Sequence, residues 1–223
     1  MKILTIIGGS VVGLVVIGVL ALGFLGFVPG LSDLLGTNKP RDLGVRYTDA
    51  DYLSALAKIP GHTITNAEDV CITCPFVSRG SVPVDSTFTQ AEFTAHLNKL
   101  NSKKGPLRDV QVKFNADGTV ETSGLMKDPR LTAPVYVKGR LVSTSDRGVT
   151  LDVQSVEVGR LGVGSSEAEQ AEQLANQAVA NFFNQNSGMS VESLQVQDGH
   201  MKFKGTFPAE IIGDPNAQPA SIG

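Results

Sequence analysis

Hydrophobic positions change period along this chain, and each period predicts a different kind of element. From Ile3 to Ser32 they form a nearly unbroken run of Ile, Val, Leu, Phe, Ala and Gly without one charged residue, closed by Pro29-Gly30. A bilayer span needs about 20 apolar residues at about 1.5 Å rise each, whereas a cleaved signal peptide carries an apolar core of about 7 to 15. Residues 1–30 therefore predict a transmembrane signal anchor. No Ala-x-Ala triplet ends the run, although small residues near Ala21 and Gly26 leave cleavage open as the alternative. Residues 31–46, with Gly36, Pro40 and Gly44 among small polar residues, read as a juxtamembrane linker.

Beyond the linker the spacing becomes helical and then alternating. Thr48 with Asp49 and Asp51 predicts a cap for a helix carrying Tyr52, Leu53, Leu56 and Ile59, stopped by Pro60-Gly61. Thr89-Gln90-Ala91-Glu92 has the Ser/Thr-x-x-Glu form in which cap and third residue satisfy each other's free amides. Phe88 and Phe93 stand at staple spacing, and Phe93, His96, Leu97 and Leu100 give an apolar stripe that Gly105-Pro106 ends.

Val110, Val112 and Phe114 then alternate with polar residues, and Asp117-Gly118 turns the chain into Val120, Thr122, Gly124 and Met126, a hairpin. A second hairpin runs through Val135, Val137, Gly139 and Leu141, turns at Asp146-Arg147-Gly148 and returns through Val149, Leu151 and Val153. A parity shift to Val156 and Val158 predicts a bulge near Ser155 and hence a curved sheet. Ser166-Glu167-Ala168-Glu169 opens a long helix with Ala171, Leu174, Ala175, Ala178, Val179, Phe182 and Phe183 on its apolar side. A third hairpin, Val191–Val196 and Met201–Phe207 around Asp198-Gly199, follows.

The expected fold class is α+β: an N-terminal transmembrane helix, then one domain over 47–212 in which three hairpins make a curved antiparallel sheet packed on a long helix. Residues 213–223, rich in Pro, Ala, Gly and Asn, read as a flexible tail. A formal charge of −3 over 223 residues, with no Trp, provides no basic field for nucleic acid, which is excluded as a partner. Orientation draws on opposing signals. Lys39, Arg41 and Arg46 follow the apolar run while only Lys2 precedes it, which favours a cytoplasmic domain. The short N-terminal tail and the close cysteine pair favour an extracytoplasmic one, and that is the expectation adopted.

Cys71-Ile72-Thr73-Cys74 is the one motif with reactive side chains. A structural disulfide, a redox pair and a metal site all fit its spacing, and the disulfide is favoured because Pro75 places the pair in a loop rather than at a helix start. A metal would need two further ligands, and His62, His96 and His200 complete no zinc pattern. No nucleophile elbow or phosphate-binding glycine loop occurs, so the chain reads as non-enzymatic, with no cofactor, no metal and no catalytic residues. The apolar faces of sheet and long helix leave room for a groove between them, with a membrane lipid as the nearest apolar partner.

Phe88-Thr89-Gln90-Ala91-Glu92-Phe93, Asp117-Gly118, Lys138-Gly139-Arg140, the run from Asp198 to Gly205 and the closing Gly205-Thr206-Phe207-Pro208 resemble, in layout, bacterial membrane-anchored TULIP-like lipid-binding proteins of the LmeA and YpmS type. The resemblance covers about Thr87 to Ile211. It implies an extracytoplasmic module that binds lipid without reaction chemistry, in a groove lined by Phe93, Leu97, Val112, Phe114, Val179 and Phe183. The rival class is an envelope scaffold with a fully packed interior and an envelope protein partner. The sequence assigns no oligomeric state.

Overall fold

The alternating segments in the middle of the chain fold into strands, as their period of two requires. The computed structural model describes residues 38–70, 74–127, 132–159, 161–162, 165–186 and 188–216. Five strands, β4 (Leu107–Phe114), β5 (Val120–Lys127), β6 (Thr132–Ser143), β7 (Val149–Val158) and β8 (Leu161–Gly162), pair in chain order as an antiparallel meander. They follow β1 (Thr63–Thr65), β2 (Phe76–Arg79) and β3 (Val82–Thr89) and precede β9 (Ser190–Gln197), β10 (His200–Phe207) and β11 (Glu210–Gly213). The helices are α1 (Asp49–Ala57), α2 (Gln90–Asn101) and α3 (Ser165–Gln185).

Two irregularities bend the meander. Lys138 pairs with Ser155 but Gly139 pairs with Val153, so Gln154 is the extra residue of a bulge, which returns Val156 to the face occupied by Leu151 and Val153. Gly139 is required there, because a Cβ would stand 2.5 Å from the Asp152 carbonyl oxygen. A second register shift lies between Arg108 and Gln111, where Asp109 takes a positive φ of 50°.

The expectation of one curved sheet from three hairpins, packed on a long helix, is corrected. Among the described residues there are three sheets and the molecule is mostly strand. The third hairpin, β9-β10, does not join the meander. Its second strand pairs antiparallel with β3, setting Met201 opposite Phe88 and Gly205 opposite Val84. β11 is flanked by β2 and, in parallel, by β1, so the sheets are not wholly antiparallel either. The physical reason is that 82–89 is itself a strand, with Val84 and Phe88 turned inward, and competes successfully for the free edge of β10. Nor does α3, at 21 residues, cover a sheet face. It lies along the edge of β7.

The predicted transmembrane anchor falls outside the described residues. No helix among those described is long and apolar enough to cross a membrane, and α3 carries Glu167, Glu169 and Glu172. The reading as a single-pass membrane protein with its domain outside the cytoplasm thus finds no span among the described residues and is not taken further. Residues 38–46, expected as linker, are seated on the meander: the Leu43 and Val45 amides donate to Gln111 Oε1 at 2.9 and 3.3 Å, and Val45 is buried. Of the expected tail, Gly213 closes β11, and the Asp214 and Pro215 carbonyls accept from Lys104.

Both long edges of the meander are sealed by helix side chains. On α2, Gln90, Thr94 and Asn98 follow one another at four-residue spacing. Asn98 accepts from the Val110 amide at 3.0 Å and donates to its carbonyl at 2.7 Å. The Thr94 hydroxyl accepts from Val112 at 2.9 Å and donates back at 3.3 Å, and Gln90 accepts from Phe114 at 3.3 Å. On α3, Asn176 bonds both backbone groups of Leu151 at 2.7 and 3.0 Å, and Glu172 accepts from the Val153 amide at 3.0 Å.

Val110 is 1% exposed, so Asn98→Leu would strand two buried backbone groups, each costing about 1–3 kcal/mol when unsatisfied. Urea denaturation should show a loss of about 2 kcal/mol or more, against a change within about 0.5 kcal/mol for the exposed Lys99→Ala. Equal stabilities for the two variants would mean that the edge bonds contribute nothing.

Candidate functional site

The inward parity of β4 to β7 puts Val112, Val120, Thr122, Val137, Leu141, Leu151, Val153 and Val156 on one face of the meander. Met201, Leu194 and Val196 of the β9-β10 hairpin pack onto one end of this face, around Phe114 and Val120; the two flanking helices lie beside the sheet rather than over it, and the rest of the face is the floor of an open trough. Phe93 and Leu97 of α2 form one wall and Ala175 of α3 lies on the other side. The trough holds about 240 Å3. Among the described residues Thr122 is its one polar lining residue, and Thr94, Asn98 and Asn176, which α2 and α3 turn toward the sheet, are spent on the edge strands. Water there would find almost no partners, and empty apolar cavities of this kind take up apolar ligands.

Of the six residues expected to line a groove, the structure brings Phe93, Leu97 and Val112 together at the trough. Phe114 shares their face of the sheet, opposite Val120, and is wholly buried, its ring centroid 5.7 Å from that of Phe93. Val179 is half-buried on α3. Phe183 packs elsewhere, against the core of Ala55, Ile59, Val84, Phe88, Val191 and Phe203. The floor positions on β5, β6 and β7 were absent from that set. Their signal was the strand alternation itself, which shows that they share a face with Val112 once the meander order is known.

A second, smaller apolar cavity of about 60 Å3 lies between α1, α2 and the β3-β10-β9 sheet. Phe93, Phe88, Ala55, Met201 and Phe207 line it, together with Glu92 and His96. The Glu92 carboxylate, 4% exposed, is fully engaged by Lys58 and Ser54 at 2.6 Å and by the Thr89 amide at 2.8 Å. Burial pushes its pKa up, but these hydrogen bonds outweigh burial and hold it below the ordinary carboxylate value. The predicted Thr89/Glu92 capping box is thus formed and tied to α1. His96 stacks on Tyr52 with centroids 5.8 Å apart. Burial, with a smaller repulsion from His62, lowers its pKa to about 4.

The opposite face of the meander is polar. Arg41 grips Glu157 at 2.6 and 2.8 Å and stands 3.9 Å over the Tyr136 ring, beside a recess of about 200 Å3. Tyr136 donates to Glu121 at 2.8 Å; burial and this bond push its pKa up to about 12, so it stays a neutral phenol. Glu157 and Glu121 on this face are thus each held by a partner within the protein.

Among the described residues no group of three or more His, Cys, Asp or Glu side chains is placed to hold a metal ion. Cys71 lies outside the described residues; Cys74 is wholly buried and is not a free thiol. The expected Cys71/Cys74 bridge therefore lies outside the described residues.

His96 and His62 both have lowered pKa values in the folded protein, each with burial as the leading cause. The unfolded chain then binds more protons below about pH 6.5, so their contribution to stability is complete above that pH and is lost as pH falls toward 4. Each histidine contributes at most about 1.4 kcal/mol per pH unit inside this window. Thermal unfolding between pH 7 and 5 should show a smaller loss of Tm for His96→Phe than for the parent; identical slopes would assign the effect elsewhere. No protein-family model, curated protein or solved structure matches this chain.

Proposed function

We propose that this protein is a non-enzymatic binding module that holds the hydrocarbon chain of a lipid-like amphiphile in the trough of the meander. The single observation carrying this reading is the trough itself: about 240 Å3, open, floored by aliphatic side chains and bordered by helices whose sheet-facing polar groups are already bonded. A rigid planar ligand with polar edges would lose its hydrogen bonds on entering, whereas a methylene chain loses none. The layout resemblance to TULIP-like lipid-binding proteins points to the same ligand class.

At about 30 Å3 per small group the trough holds about eight methylenes. Burying these at about 0.8 kcal/mol each gives about 6 kcal/mol, equivalent to a Kd of tens of micromolar. The cost of immobilising the chain weakens that figure. The headgroup remains at the mouth, in water, and contributes little to affinity.

Displacement of a fluorescent fatty acid by dodecanoic acid tests the proposal. The parent should bind with a Kd between about ten and a few hundred micromolar. Thr122→Phe, which fills the trough without adding charge, and Val137→Asp, which charges its floor, should each weaken binding at least about tenfold while circular dichroism remains that of the parent. Absence of uptake by the parent, or equal uptake by both variants, would sink the reading.

A further inference from the structure

Phe93 is the residue shared by the two apolar cavities: it lines both the trough on the meander and the inner cavity beneath α1. Its position on the first turn of α2 is fixed on three sides. The Thr89/Glu92 capping box sets the helix start, Phe88 stands at staple spacing just before it, and Phe114, wholly buried, backs its ring at 5.7 Å with the planes tilted by 60°. Such a ring has few alternative rotamers on a helix.

We infer that Phe93 is the stop that sets the length of the bound hydrocarbon chain, with the methyl end of the chain against Phe93 and the inner cavity closed off behind it. The inference rests on the trough being the binding site and adds the orientation and the length limit of the ligand. The inner cavity suits a methyl end and nothing more polar. Its walls are Ala55, Phe88, Met201 and Phe207, and of its two polar neighbours Glu92 is held by Lys58 and Ser54 while His96 lies with its ring face on Tyr52. A carboxylate or phosphate turned this way would meet the Glu92 carboxylate and no cation in that lining, with Lys58 already held by Glu92, so the headgroup belongs at the other end of the trough.

Geometry also gives the size of the effect. The inner cavity, about 60 Å3, holds about two methylene-sized groups at ~30 Å3 each. Removing the Phe93 ring opens that space and adds the volume of the ring itself. The permitted chain should then lengthen by at least about two carbons.

The experiment measures the affinity of the whole chain for straight-chain saturated fatty acids of increasing length, by displacement of a fluorescent fatty acid. For the parent, affinity should rise about fourfold per added methylene and then level off at the length that fills the trough. In Phe93→Ala the plateau should move to chains longer by two or more carbons, with shorter chains bound no better than by the parent. Ala55→Val, which narrows the inner cavity from its far side, should leave the parent plateau unchanged and pull the Phe93→Ala plateau back. Circular dichroism and thermal unfolding establish that each variant is folded. If the parent binds no fatty acid of any length, the trough itself is not the site. If the parent binds but the plateau is the same in Phe93→Ala, the trough stands and the role of Phe93 as a stop is overturned. A plateau that shifts in Phe93→Ala yet ignores Ala55→Val also overturns it, because the added space would then lie outside the inner cavity.

Discussion

The structure depends on a match of two repeats, that of α2 and that of the sheet edge it lies against. Four residues of helix rise about 6.0 Å and two residues of strand about 6.8 Å. Side chains at every fourth helical position therefore meet every second residue of a neighbouring strand over a short distance. Gln90, Thr94 and Asn98 use this match to satisfy Phe114, Val112 and Val110, in antiparallel order. Glu172 and Asn176 of α3 repeat it on Val153 and Leu151. An exposed strand edge would be a template for another chain, and unsatisfied backbone groups at a buried edge would be costly. Here polar side chains do what a sixth and a seventh strand would otherwise do.

That arrangement decides where the apolar surface goes. A helix laid over a sheet buries its stripe against the floor and fills the interior. Helices laid beside the sheet leave the floor open and raise walls around it. The same bonds that seal the edges of the meander thus create the trough, because they hold α2 and α3 at the level of the strands. The bulge at Gln154 contributes as well: without the extra residue, Val156 would turn to the polar face and Glu157, the partner of Arg41, would turn into the trough.

Much of the local structure was legible in the sequence. The capping box at Thr89, the turns at Asp117-Gly118 and Asp198-Gly199 and the parity shift before Val156 are short-range signals, and each appears where its residues place it. What was not legible depends on partner choice. β10 has two edges, and nothing in its own alternation says that β3 takes one of them. β3 itself is obscured by Pro83 and by Asp85 and Thr87 on its outer face, so that only Val82, Val84 and Phe88 carry its inward pattern. Half of the expected groove residues gathered at the trough for the same reason. Phe93, Leu97 and Val112 follow from the pairing of α2 with β4, whereas the direction of Phe183 depends on the β3-β10-β9 sheet, whose packing no local pattern revealed.

α2 also shows why an apolar stripe was an incomplete description of a central helix. At about 100° per residue, Gln90, Thr94 and Asn98 cluster on one side, Phe93 and Leu97 on the next, and Glu92 and His96 beyond them. Leu100, near the end, turns into a third core with Ala67, Val70, Phe76 and Ile211. Each sector meets a different body: the β4 edge, the trough, α1 with the inner cavity, and the core built around β11. Such a helix has little surface left to be polar on its own account; of its second half, Lys99 is the residue that faces water among those whose side chains are described. Its rotation about its own axis is therefore fixed from several directions at once. A small rotation would break the Asn98 and Thr94 bonds before it moved Phe93 out of the trough wall, so the position of that ring is set by hydrogen bonds on the neighbouring sector rather than by the apolar contacts it makes.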